Sequence, residues 1–136
     1  MIPWYEVVLR LLLAVGLSAA LGYERELRGK PAGLRTHVLI GVGAAGFTLA
    51  SFLGFAEADA ARVASGVVAG VGFLGAGVIF RGGRSTVEGG ISGLTTAASI
   101  WLTACVGLAA AAGLVVLSVS VTLIALIALE LPKLQD

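Results

Sequence analysis

The chain has 136 residues, of which 58% are hydrophobic and 12% are charged, and its mean hydropathy is +1.03. Soluble domains carry about 25% charged residues, so this composition excludes an ordinary soluble domain and indicates an integral membrane protein. The net charge of +1, without a dominant basic cluster, indicates that nucleic acid is not a partner.

Five apolar stretches each approach the length of about 20 residues that a helix needs to cross a bilayer. The first lies between Trp4 and Tyr23, whose rings suit the two headgroup regions. From Gly89 to Leu129 no acidic, basic or histidine residue occurs, which is roughly twice one span, and we expect the turn at the glycines of residues 107–113. The predicted helices are residues 4–22, 38–56, 63–80, 93–108 and 114–131.

The basic residues are distributed unevenly about these spans. Arg62 lies on one side and Arg10 inside the first helix. The others share the opposite side: Arg25, Arg28, Lys30, Arg35, Arg81, Arg84 and Lys133. Positive charge marks the cytoplasmic side, so we expect the amino terminus outside and the carboxyl terminus in the cytoplasm. The sequence thus predicts an all-α, polytopic transmembrane bundle of about five helices, with residues 1–136 as one domain and no soluble carboxy-terminal domain.

Glycine is frequent in the second and third predicted helices, and each contains a G-x-G-x-x-G sequence, at residues 41–46 and 70–75. Neither follows a strand, so the nucleotide-binding interpretation lacks its βαβ context. Small residues instead let membrane helices approach closely, which predicts tight contact between these two helices. The packing glycines are expected to be Gly66, Gly70, Gly72, Gly75 and Gly77.

One motif is typical of an enzyme. Ser92 lies in G-x-S-G, which matches the serine motif of intramembrane proteases, and His37 is the only histidine. However, a serine flanked by glycine at a helix start is more often a cap, and the histidine precedes the serine, against that protease family's order. We therefore expect no enzymatic activity, with an intramembrane serine protease as the remote alternative.

The most charged segment is residues 23–37, YERELRGKPAGLRTH. Its first acidic residues directly follow an apolar run, so part of the segment is expected to be buried, where carboxylates need a cationic or metal partner. Arg35 could return to pair with Glu24 or Glu26, and the polar start of the fourth helix faces the same side. The candidate substrate or ion site is formed by Glu24, Arg25, Glu26, Arg35, His37, Thr95 and Thr96.

No group of Cys, His, Asp and Glu has the spacing of a resident metal site, so no cofactor is expected other than Mg²⁺. A hydrated Mg²⁺ ion needs only one or two carboxylates together with water and carbonyl oxygens. Glu24 and Glu26 could supply these carboxylates.

Three segments, ERELRGKPAGLRTH, GVGFLGAGVIF and GLTTAASIW, in this order and at these intervals, resemble the membrane domain of the MgtC/SapB family of bacterial inner-membrane proteins. The resemblance covers about residues 21–113. It implies a helical plasma-membrane protein and a link to magnesium limitation. Some family members look instead like inhibitors of ATP synthase or partners of transport ATPases. The virulence branch carries Asn where this chain has Thr95, so its role is not implied.

We therefore expect a multi-pass inner-membrane protein that is linked to magnesium transport and has a polar site on the cytoplasmic side. The alternative is a regulator that transports nothing and binds another membrane complex, such as ATP synthase or a transport ATPase, through its helices. Besides the lipid bilayer, the expected partner is a second copy of the chain, because five glycine-rich helices leave much packing surface. The sequence does not identify the ion, its direction or the partner complex.

Overall fold

The computed structural model describes residues 2–55, 59–82 and 93–132. Within these residues it contains no strand and five helices, which confirms the predicted all-α fold. A helix satisfies its own backbone hydrogen bonds, which is what an apolar chain needs where water is absent. The helices are α1 (Trp4–Leu27), α2 (Leu34–Gly54), α3 (Ala60–Gly82), α4 (Leu94–Ala111) and α5 (Val115–Leu129).

The turn between α1 and α2 is shorter than the sequence suggested, because α1 continues past residue 22 to Leu27 and α2 begins at Leu34. A Schellman motif ends α1: Gly29 has φ +67°, and the Gly29 and Lys30 amides donate to the carbonyls of Glu26 and Arg25, each at 3.0 Å. The charged triplet at residues 24–26 therefore lies on a helix and not in a loop.

The same motif ends α4, but later than predicted. Gly113 has φ +82°, and the Leu114 amide donates to the Ala109 carbonyl at 2.9 Å. The chain therefore turns at Gly113, while Gly107 remains inside the helix.

Helices α1 to α4 are each long and apolar enough to cross a membrane, whereas α5 has only 15 residues. Contacts at both ends of α5 show how far it reaches. Gly113, just before α5, lies against the guanidinium of Arg10, and Glu130, at its end, pairs with Arg28. Arg10 and Arg28 lie about 27 Å apart along α1, at 1.5 Å per residue. Helix α5 therefore runs parallel to α1 over most of a bilayer's hydrocarbon thickness of about 30 Å.

The helices alternate in direction, so the bundle has two distinct ends. We call the end with Glu24, Arg25, Arg28 and Glu130 the charged end, and the end with Arg10 the far end. Helix α1 ends and α2 begins at the charged end, and α4 also begins there, because Ser99 contacts His37. The described chain therefore starts at the far end and finishes at the charged end.

Helix α4 forms the centre of the bundle and contacts each of the other four helices. Its closest approach is to α2, where a Cβ on Gly107 would overlap the backbone carbonyl of Gly41. A Cβ on Gly41 would in turn overlap the hydroxyl of Ser18 on α1. Around Gly41, α2 is therefore in backbone contact with α4 and in side-chain contact with Ser18 of α1, as expected for small residues in membrane helices.

The predicted tight packing of α2 against α3 does not form within the chain. A Cβ on Gly66, Gly70, Gly72 or Gly77 would meet nothing within 4 Å, and Gly75 only reaches ordinary contact with Ala97 on α4, at 3.5 Å. Helices α2 and α3 instead diverge around an open apolar groove of about 580 Å³ lined by Gly43, Gly66 and Gly70 among others. The tight glycine contacts belong to α1, α2 and α4, because those helices form the core.

Candidate functional site

Glu24 and Arg25 form the buried part of the charged end. The Arg25 side chain is only 3% exposed, and its Nε donates to Glu24 Oε1 at 2.7 Å. An unpaired buried guanidinium would be strongly destabilising, so this pair allows the charge to lie among the helices. The structure thus brings together two of the residues that the sequence singled out.

The other oxygen of Glu24 has a weaker partner. Glu24 Oε2 is buried and forms no hydrogen bond, and Nε of Arg28 lies 3.4 Å from it. The same guanidinium also pairs with Glu130, at the carboxyl-terminal cap of α5. Arg28 is therefore shared by two carboxylates from different helices.

Glu26 does not join this pair of carboxylates. Two residues apart on a helix, side chains point about 200° from each other, so Glu24 and Glu26 cannot converge on one ion. Glu26 Oε1 instead accepts a hydrogen bond from the Leu34 amide at 2.9 Å and so satisfies the start of α2. Gly33 permits this approach, because a Cβ there would overlap the carboxylate. The two carboxylates that share a partner are thus Glu24 and Glu130, and not the predicted pair Glu24 and Glu26.

His37 lies beneath this turn and is fully buried. Its Nδ1 is 2.9 Å from the Gly33 carbonyl, and its Nε2 is 3.0 Å from Ser99 Oγ on α4. The approach of His37 to α1 depends on Gly22, where a Cβ would come within 2.9 Å of the histidine Cβ. The histidine thus connects the starts of α2 and α4.

The remaining predicted site residues divide between the interior and the surface. Thr96 is buried, and its carbonyl accepts a hydrogen bond from Ser99 Oγ at 2.7 Å. Thr95 and Arg35 are exposed. The ion pairs of Glu24 are made by Arg25 and Arg28, so the expected return of Arg35 to Glu24 does not occur in the described structure. Ser92, the residue of the protease hypothesis, lies outside the described residues.

Sequence reasoning missed three members of this cluster: Arg28 and Glu130 in the ion pairs, and Ser99 beside the histidine. In the sequence, Arg28 stands out only as one of the basic residues on the cytoplasmic side, and Glu130 lies near the other end of the chain. A signal for Glu130 did exist, because it is the first acidic residue after the long uncharged tract and lies near the end of a predicted helix that ends on the Arg28 side.

The arrangement contains one carboxylate oxygen without a hydrogen bond, on Glu24, and a second carboxylate, on Glu130, that shares the half-exposed guanidinium of Arg28 with it. Among the described residues, no group of three or more His, Cys, Asp and Glu side chains gathers around a point that could hold a metal ion. The donor set therefore fits a hydrated cation, held by one or two carboxylates and water, better than a fully protein-ligated ion.

Comparison with known proteins agrees with these features. The model of the MgtC family matches residues 11–135. The "Putative magnesium transporter YhiD" of Escherichia coli strain K12 is 44% identical over 133 residues, covering 92% of this chain and 60% of that protein. "Protein MgtC" of Brucella abortus strain 2308 is 44% identical over 99 residues, covering 73% of this chain and 40% of that protein.

"Protein SrpB" of Synechococcus elongatus is 42% identical over 122 residues, covering 82% of this chain and 66% of that protein. The chain thus spans between two fifths and two thirds of the length of these relatives. No solved structure matches it. The family match and the four membrane-length helices confirm the resemblance seen in the sequence, and the chain belongs to the MgtC family of multi-pass membrane proteins.

Proposed function

We propose that this chain is a magnesium-linked transport protein of the bacterial inner membrane, without enzymatic activity, with its charged end in the cytoplasm. The name of the E. coli relative supports magnesium as the ion. The position of Arg25, Arg28, Lys30 and Arg35 at the charged end supports its cytoplasmic orientation, because basic residues accumulate on that side of the membrane.

The observation that carries the proposal is the sharing of Arg28 by Glu24 and Glu130. Glu24 Oε2 is buried without a hydrogen bond, and the guanidinium that faces it is half exposed. A buried carboxylate needs a cation, and a half-exposed side chain can leave at little cost. In our proposal a hydrated Mg²⁺ ion takes the place of the Arg28 guanidinium between the two carboxylates.

Release of the ion toward the far end would require the helices to move. Below the charged end, α2 and α4 are in backbone contact at Gly41 and Gly107, and Ser18 of α1 packs against Gly41. We propose that Mg²⁺ binds while the helices are packed in this way, with Arg28 displaced, and that α1 separates from α2 and α4 to release it.

The direct test is Mg²⁺ flux into proteoliposomes that contain the purified full chain and an internal Mg²⁺-sensitive dye. We expect flux with the wild-type chain and a loss of at least about tenfold with Glu24→Gln, because the ion loses a charged ligand. The matched control is Glu6→Gln, since Glu6 also pairs with an arginine, Arg10 at 2.9 Å, but lies at the far end. Absence of flux with the wild-type chain, or equal loss with both variants, would reject the proposal.

The alternative function, a regulator that binds another membrane complex, is favoured by a different observation. Among the described helices, α3 contacts only α2 and α4, and Gly66, Gly70 and Gly77, on one of its faces, have nothing within 4 Å of their Cβ positions. A helix surface of small residues allows close approach by another membrane helix. Under this alternative, α3 binds the partner and the charged end has no transported ion.

Crosslinking in native membranes distinguishes the two functions. If the regulator function is correct, crosslinking of the chain to a membrane complex survives Glu24→Gln and is lost with Gly70→Leu. Gly16→Leu is the matched control, because Gly16 on α1 also has open space around its Cβ. Equal crosslinking by both leucine variants would reject α3 as the binding surface.

A further inference from the structure

The hydrogen bonds around His37 cannot all form with a neutral ring. Nδ1 faces the Gly33 carbonyl at 2.9 Å, and a carbonyl oxygen only accepts, so Nδ1 must carry a proton. Ser99 Oγ lies 2.7 Å from the Thr96 carbonyl, another pure acceptor, and 3.0 Å from His37 Nε2. The single hydroxyl proton of Ser99 can serve only one of these two neighbours.

Two protonation states of His37 therefore give both ring nitrogens a hydrogen-bond partner. In the neutral state, Nε2 carries no proton and accepts from the Ser99 hydroxyl, and the bond from Ser99 to Thr96 is lost. In the protonated state, Nε2 donates to Ser99 Oγ, and the hydroxyl donates to the Thr96 carbonyl. The two states differ by one proton on Nε2 and by the direction of one hydroxyl group.

The charges around His37 leave this proton without a dedicated counterion. Helix α1 presents Glu24 and Arg25, which are already paired with each other at 2.7 Å. Helix α4 presents the hydroxyl of Ser99 and backbone carbonyls, and on α2 the nearby Arg35 is exposed. Within the described residues, the ring is therefore controlled by hydrogen bonds and not by an ion pair of its own.

We propose that His37 and Ser99, with the carbonyls of Gly33 and Thr96, form a proton-binding site that connects α2 to the first turn of α4. Binding takes up one proton from the medium on Nε2 and turns the Ser99 hydroxyl from the histidine to Thr96. Release reverses both changes, and no other bond is made or broken. The inference goes beyond the proposed function and does not depend on magnesium.

Protonation of His37 changes the hydrogen bonds of Ser99, so the site couples pH to the contact between α2 and α4. The hydroxyl bond within α4, from Ser99 to Thr96, exists only in the protonated state, whereas the bond from Ser99 to the ring changes its direction. The imidazole of His37 is the group that changes charge at this site, so pH determines which of the two hydrogen-bonding arrangements of Ser99 is present.

The test uses the fact that His37 is the only histidine in the chain. Full-length protein labelled with ¹⁵N-histidine and held in lipid nanodiscs gives one pair of ring nitrogen signals. We expect a transition of one proton, between a doubly protonated ring and a neutral ring with its proton on Nδ1. A ring that keeps one protonation state between about pH 4 and 9, or a neutral ring protonated on Nε2, would overturn the proposal.

Variants test the part played by Ser99. Ser99→Ala is expected to lower the proton affinity of His37 at least about tenfold, because the charged ring loses an acceptor. Ser99→Thr keeps the hydroxyl and should restore the transition. The control is Ser118→Ala, a buried serine that donates instead to the Val106 carbonyl at 2.8 Å. If Ser99→Ala behaves like Ser118→Ala, Ser99 is not part of the proton site.

Discussion

Arg28 at the end of α1 and Glu130 at the end of α5 form an ion pair although 102 positions separate them in the sequence. The pair closes the bundle at the charged end, because it joins the first helix to the last. The same guanidinium also lies 3.4 Å from Glu24, so one half-exposed cation serves two carboxylates. Substitution of Arg28 therefore distinguishes a structural role of its guanidinium from a role in ion binding.

If Arg28 occupies the place of Mg²⁺, Arg28→Gln should increase Mg²⁺ affinity at least about tenfold, because the competing charge is gone. Glu130→Gln should decrease it. Both can be measured by calorimetric titration of the purified chain in detergent. The control is Lys30→Gln, which removes the same charge from an exposed residue nearby. Equal affinities for the Arg28 and Lys30 variants would show that Arg28 only stabilises the fold.

The contact between Glu26 and α2 predicts that the effects of Gly33→Ala and Glu26→Ala on stability are not additive. Gly33→Ala places a Cβ on the Glu26 carboxylate and should lower the free energy of unfolding by about 0.5–1.5 kcal/mol, because the bond to the Leu34 amide is displaced. In Glu26→Ala the obstruction is absent, so adding Gly33→Ala should cost much less. Chemical unfolding in detergent micelles measures both costs. Additive losses would contradict the contact.

The close contact between Gly41 and Gly107 predicts a larger loss of stability. Gly107→Ala would place a methyl group on the Gly41 carbonyl, and backbone cannot move aside as a side chain can. We expect a loss of at least about 2 kcal/mol in the free energy of unfolding. Gly46→Ala is the control, since Gly46 has nothing within 4 Å of its Cβ position and should change stability little. Equal stability of the two variants would exclude close contact between α2 and α4.

The helices and the charged end were predictable from the sequence because both depend on local composition. A long apolar stretch must be helical in a bilayer, and Glu24 and Arg25 directly follow such a stretch. The end of α1 was harder to predict from the sequence. Glu, Arg and Leu all favour helix, so α1 continues beyond the apolar stretch and stops at Gly29, where φ is +67°. The boundary predicted from the sequence lies where the hydrophobic stretch ends, whereas the helix itself ends where its backbone hydrogen bonds end.

The packing faces were not predictable. In a soluble helix, a polar face shows which side is exposed to water, but both sides of these helices are apolar. The sequence therefore does not distinguish the glycines of α3 from Gly41 or Gly107 as packing positions. Only the arrangement of the helices distinguishes them. Glu130 was missed for a related reason, since its partner Arg28 is 102 positions away in the sequence and only the arrangement of the helices brings the two together.

The sides of the membrane can be assigned with single cysteines in a Cys105→Ser background, because Cys105 is the only native thiol. Lys30→Cys marks the charged end and Arg62→Cys marks the far end, where α3 begins. We expect a membrane-impermeant maleimide to label Arg62→Cys in intact cells and Lys30→Cys only after lysis, because basic residues accumulate in the cytoplasm. The reverse result would place the charged end outside.

The open glycine face of α3 predicts contact with a second copy of the chain. In a bilayer, small residues promote association by close packing, and Gly66, Gly70 and Gly77, which share one face of α3, have nothing within 4 Å of their Cβ positions among the described residues. Gly70→Leu should therefore convert an oligomer to a monomer in native mass spectrometry from detergent, without changing the helix content measured by circular dichroism. Gly16→Leu, which alters an equally open position on α1, should leave the oligomer intact. A wild-type chain that is monomeric in these spectra, or an oligomer that persists in Gly70→Leu, would show that copies do not associate through α3.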